Sequence, residues 1–146
     1  MTYETMPILE AIRLCWTLLE LNFAETGFPV GALAPDLEAY AALDKYTPSF
    51  AIVARDEIEP IGLIVVLVSR HPHTSALFAQ NDTLFVRKEF RNIPVGAVLF
   101  TKAEREARSR GAKVFLWDVP HGSSIDRALA RRTEYRDAHT LYFKEL

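Results

Sequence analysis

One cysteine, Cys15, stands in the 146 residues, so no disulfide framework holds this chain together. A reducing compartment, the cytoplasm, is the simplest expectation. Long apolar runs are missing too. The longest charge-free one lies near Pro60 to Ser69, well short of the roughly 20 residues a bilayer span takes. No basic segment precedes an apolar stretch at the start, where Glu10, Arg13 and Glu20 interrupt, so neither a leader nor membrane contact is expected. Charge of one sign is not in excess: 17 Lys and Arg face 19 Asp and Glu, a net charge of −2. Aromatics are not interleaved with the basic residues, which speaks against a nucleic-acid partner. Among the 6 glycines there is no Gly-x-Gly-x-x-Gly turn and no Gly-Lys-Ser/Thr loop, which excludes the dinucleotide fingerprint and the Walker loop. His71 and His73 alternate across a turn, but no third ligand has a recognisable spacing, so no metal is expected.

What is present suffices for a core. Hydrophobic residues make up 49% of the chain, and one domain spanning 1–146 is expected. Residues 8–25 read as a single amphipathic helix with Ile8, Ile12, Cys15, Trp16, Leu19 and Phe23 on its stripe. Thr5 is placed to cap it, and Gly27 and Pro29 to end it. Leu14, Leu18 and Leu21 lie off the stripe, which leaves core burial or a partner surface open. Asp36 caps a second helix, about Leu37 to Tyr46. Strands follow at 50–55, 61–70 and 77–86, joined by short links that imply an antiparallel meander. Val95 to Gly111 is helical, 113–119 is a strand, 123–134 a helix, and Thr140 to Lys144 a last strand. The strand, helix and strand of 82–119 form a βαβ unit with parallel strands.

Charge is unevenly spread. Residues 1–62 hold three basic residues against ten acidic ones, and 87–113 hold eight basic against three acidic. The basic part includes Arg87, Lys88 and Arg91, in a loop between the strand ending at Val86 and the helix starting near Pro94. Unpaired N–H groups and the dipole of that helix start, with these side chains, suit a phosphate or pyrophosphate.

This stretch and the order of elements resemble the GNAT (Gcn5-related N-acetyltransferase) family. Its acetyl-CoA motif runs from a strand ending in valine to Arg/Gln-x-x-Gly-x-Gly/Ala at a helix start. Arg91 and Gly96 match the outer positions. Pro94 stands at the middle glycine and removes one N–H. The resemblance implies an α/β (α+β) fold: a mixed sheet with an antiparallel meander followed by a βαβ unit, and two N-terminal helices. It implies a first strand that is short or missing before Ile8. It also implies acetyl-CoA as co-substrate, with Phe85, Val86 and Arg87 along the pantetheine arm and Arg91, Asn92, Val95, Gly96 and Ala97 at the pyrophosphate. For Phe85 and Val86, plain strand core is an equal reading.

The resemblance places a base at Asp82, against the plainer reading of a strand aspartate bonded to Thr83. The family's tyrosine on the last helix falls on Ala130. Tyr135 is taken as the substitute acid, with Tyr142, His121 and Ser124 as alternatives. Two functions follow. One is acetylation of an amine, small molecule or peptide, with Glu25, Asp36, Glu38 and Asp44 favouring a cationic acceptor. The other is an idle fold kept as a structural or interaction subunit of a larger assembly, such as a viral particle, contacting a partner or a second copy through the first helix.

Overall fold

The computed structural model describes residues 1–26 and 31–146. Five strands make one sheet in the order β1-β2-β3-β4-β5: β1 Thr2–Met6, β2 Phe50–Asp56, β3 Glu59–Arg70, β4 Leu77–Val86 and β5 Ala112–Leu116. The first three pairings are antiparallel and β4–β5 is parallel, as a meander followed by a βαβ unit requires. The β-branched run of β3 is covered on both faces. On one side, Ala51, Val53, Leu63, Val65 and Phe85 meet helices α1 (Ile8–Leu14) and α2 (Trp16–Thr26). On the other, Ile52, Ile64, Val66 and Val86 meet Val95, Leu99 and Ala103 of α4 (Val95–Ser109). Gly111 ends α4 at φ +94, in the left-handed region glycine enters without strain. No helix among the described residues is long and apolar enough to cross a membrane.

Several expectations are settled by the structure. Of the two alternatives for the first strand, the short one holds: β1 has five residues and pairs with β2 over all of them. Its sequence is mostly polar and only Met6 is buried, so it carries little apolar signal. The helix over 8–25 is two helices, bent at Cys15 (φ −101, ψ 24). The bend rotates the buried stripe, so that Leu18 is 3% exposed whereas Trp16 is 39% exposed. The helix expected over 123–134 spans only Ser124–Ala130 (α5), and the polar run Arg131-Arg132-Thr133-Glu134 that follows offers no apolar face to continue it. The strand expected at Thr140 to Lys144 does not form, and Tyr142 is 92% exposed. Leu141, Tyr142 and Phe143 are consecutive, so pairing would turn an apolar side chain to water on either face. The proposed stop at Gly27 and Pro29 lies outside the described residues.

Nor does Thr5 cap α1. The carboxylate of Asp44, on α3 (Leu37–Tyr46), accepts from the N–H groups of Ile8 at 2.7 Å and Leu9 at 2.9 Å. Asp44→Ala is expected to lower stability by about 1–2 kcal/mol, read as a lower urea midpoint with an unchanged slope. Asp36 does cap α3 as expected, accepting from Ala39 N–H at 3.0 Å.

Candidate functional site

The β4–β5 ladder stops at Gln80 and Leu116. The buried side chain of Asn81 takes over: its amide donates to the Asp118 carbonyl at 2.8 Å and accepts from Asp118 N–H at 2.7 Å. One residue on, Asp82 is the extra residue of a bulge, since Val65 faces Thr83 and Val66 faces Asn81. Beyond it, Thr83 to Val86 face no strand on the β5 side. Arg87 N–H donates to the Ile61 carbonyl, and Phe85 lies two residues away in the same register. Alternation therefore turns the peptide groups of Leu84 and Val86 toward the gap.

The gap leads to the start of α4 through a single 3-10 turn, Lys88–Phe90. No side chain caps α4 at Pro94, and its first turn holds no acidic residue. Val95 N–H bonds back to the Ile93 carbonyl at 2.8 Å, which leaves the N–H groups of Gly96 and Ala97 without intrahelical partners. A groove of about 370 Å³ continues along α4, lined by Ala97, Val98, Thr101, Lys102 and Arg105. This end of the molecule is thus built to receive an anion.

The cationic side chains of the loop are differently employed. Arg87 pairs with Glu59 and, at 2.7 Å, with Glu89. Arg91 Nε donates to the Val86 carbonyl at 2.7 Å, its Nη2 reaches both oxygens of Glu25 at 2.7 and 3.0 Å, and its guanidinium lies over the Phe85 ring. Lys88 forms no ion pair among the described residues, and Asn92 is exposed. The side chains of Phe85 and Val86 are core, 5% and 8% exposed, so only their backbone borders the gap.

Asp82 and Tyr135 are not brought together. Tyr40 on α3 donates to Asp82 Oδ2 at 2.8 Å, and Thr83 Oγ1 stands 3.5 Å from the same oxygen. Burial first, then the Asp82 charge, pushes the Tyr40 phenol above its ordinary range, so it stays a donor. On the opposite face, Tyr135 donates to Glu104 of α4 at 2.7 Å, beside Trp117, whose indole donates to the same oxygen at 2.9 Å. Burial and that carboxylate push the Tyr135 phenol up to about 12. Tyr135 pins the chain after α5 to α4. His121 and Tyr142 are exposed, and Ala130 presents no acid.

The acidic residues expected to draw a cationic acceptor are mostly occupied. Asp36 and Asp44 cap helices and Glu25 holds Arg91. Tyr40, Asn81 and the Glu25–Arg91 pair are the site features that sequence reasoning missed. Their partners lie 42, 37 and 66 residues away, beyond any periodic signal. Among the described residues no group of three His, Cys, Asp or Glu is placed to hold a metal.

The family model described as the acetyltransferase (GNAT) family matches residues 15–133, most of the chain. The protein belongs to that family. Solved structures agree in fold. A ribosomal-protein-alanine N-acetyltransferase from Brucella melitensis biovar Abortus 2308 is 16% identical, with 100% of both chains covered and a TM-score of 0.70. An aminoglycoside acetyltransferase, meta-AAC0020, from an uncultured soil metagenomic sample, in complex with sisomicin, is 17% identical over 99% of this chain and 95% of its own, with a TM-score of 0.76. The aminoglycoside N-acetyltransferase AAC(6')-Iy, in complex with CoA, is 13% identical over 99% and 98%, with a TM-score of 0.68. No curated protein matches in sequence. The parted strands and the uncapped start of α4 both lie within the matched residues.

Proposed function

We propose that this GNAT protein transfers an acetyl group from acetyl-CoA to an amine. The observation that carries the reading is the parting of β4 and β5 directly beside an uncapped, acid-free helix start. The pantetheine arm would run along Phe85, Val86 and Arg87, bonding the peptide groups turned to the gap. The pyrophosphate would sit on the N–H groups of Gly96 and Ala97, with Arg91, Asn92 and Val95 around it. Lys102 and Arg105 line the groove that suits the nucleotide end of the molecule.

The acceptor's lone pair attacks the thioester carbonyl carbon; the C–N bond forms, the C–S bond breaks and CoA leaves as a thiolate. The amine arrives as an ammonium and must lose its proton first. Asp82 is the group for this: Tyr40 holds one of its oxygens, and the other has no hydrogen-bond partner among the described residues. With alanine at position 130 and Tyr135 tied to Glu104, solvent protonates the thiolate. The scaffold reading draws on Leu14, Leu18 and Leu21: Leu18 is part of the core, whereas Leu14 and Leu21 are 39% and 42% exposed, so it is reduced to two leucines.

The test combines binding and turnover. Calorimetry with acetyl-CoA should show a saturable site. Thiol release should then appear with one of a panel of amines: an aliphatic diamine, a peptide with N-terminal alanine and an aminoglycoside. A protein that neither binds acetyl-CoA nor releases thiol with any of them would overturn the proposal.

A further inference from the structure

Glu25 has no part in the chemistry above, yet it holds Arg91, a guanidinium of the loop that leads into the uncapped start of α4. Three observations make this contact unusual. Arg91 is anchored independently of Glu25, by its Nε bond to the Val86 carbonyl and by the Phe85 ring beneath it. Glu25 lies in the last turn of α2, where the helix dipole disfavours a carboxylate, and that turn contains no basic residue. Both partners are half in water, 41% exposed for Arg91 and 42% for Glu25, so a dissolved anion reaches them without opening the core. The protein thus supplies an anion to Arg91 and none to the N–H groups of Gly96 and Ala97 five and six residues later.

We propose that Glu25 is a built-in competitor: it occupies Arg91 while the site is empty, and the phosphate of an incoming ligand displaces it. A pyrophosphate outbids the carboxylate because it reaches Arg91 and the helix start together, and because it carries more charge. Arg91 need not move far, since its Nε bond to Val86 is compatible with both partners. Binding would release the end of α2 from β4, so the ligand that fills one side of the gap also loosens the helix flanking the other face of the sheet. The identity of the ligand as CoA rests on the function proposed above; the competition itself does not.

The direction of one substitution separates this role from a supporting one. If Glu25 only steadied Arg91, its loss would weaken anion binding. If it competes, its loss strengthens binding. Calorimetry with CoA, and separately with inorganic pyrophosphate, should be run on the wild type, Glu25→Gln, Arg91→Ala and the double variant at one ionic strength. Thermal unfolding of each variant checks that the fold is retained. Glu25→Gln should bind about two- to fivefold more tightly, the range expected for removing an exposed ion pair. The gain should vanish in the Arg91→Ala background. Equal or weaker binding by Glu25→Gln would overturn the competitor. Tighter pyrophosphate binding without any CoA binding would uphold the competitor and overturn the CoA assignment. No binding of either anion to any variant would overturn both.

Discussion

Gly96→Asp should weaken acetyl-CoA binding roughly a hundredfold and make the protein slightly more stable. The two effects come from one feature, the uncapped start of α4. A Cβ at Gly96 would meet only Val86 Cγ2, at 3.8 Å, an ordinary contact, so the side chain fits. Aspartate in place of glycine in a helix gains only about a few tenths of a kcal/mol, and a carboxylate in the first turn adds about 0.3–1 kcal/mol. The same carboxylate would stand where the pyrophosphate is proposed to bind. At about 5 Å and an effective dielectric of about 20, one pair of like charges costs about 3 kcal/mol, roughly a hundredfold in affinity. Solvent screening reduces this and the second phosphate charge restores it. Gly96→Asn carries the same shape without the charge and should bind within a few-fold of the wild type. Calorimetry and thermal unfolding on the three proteins read both effects. Undiminished binding by Gly96→Asp would place the phosphate elsewhere.

Leu99→Ala should cost about 3 kcal/mol, within the roughly 2–5 kcal/mol seen for buried leucine truncations. Leu99 is fully buried and joins α4 to the sheet. Gly62, on β3, lies directly beneath it: a Cβ there would stand 3.1 Å from Leu99 Cδ1 and 3.3 Å from Val95 Cγ1. Gly62→Ala alone should therefore destabilise by about 1–3 kcal/mol through overpacking. In the double variant the alanine at position 62 enters part of the space Leu99 vacated. Its cost should fall short of the sum of the single variants by about 0.5–2 kcal/mol. Urea unfolding of the four proteins closes the cycle. Strict additivity would mean that α4 shifts to refill the space by itself.

The parts of this fold that could be read in advance are those whose signal is local. β3 is a continuous β-branched run, α4 repeats its apolar residues until Gly111, and Asp36 stands in front of α3. β1 was illegible because Thr2, Glu4 and Thr5 are polar; its strand conformation is imposed by the edge of β2 and by the ion pair of Glu4 with Arg55. The bend at Cys15 was hidden because the periodicity passes through it and only the face changes. At the candidate site, the basic loop and the helix start were legible as residue types. What each charge is doing was not. Asp44 read as an attraction for cations and turns out to hold α1, while Glu25 and Tyr40 acquire their roles from partners brought close only by the folded sheet.

Asn81 closes the fork between β4 and β5 with two hydrogen bonds that imitate a peptide group. A side chain cannot propagate a ladder as a backbone does, so the zipper has a stop and the strands cannot close past it. The fork is consequently a wedge built into the sheet. A molecule entering it meets peptide groups that no strand pairs on that side, the Val86 carbonyl being held there by Arg91, and it breaks no sheet hydrogen bond on the way in.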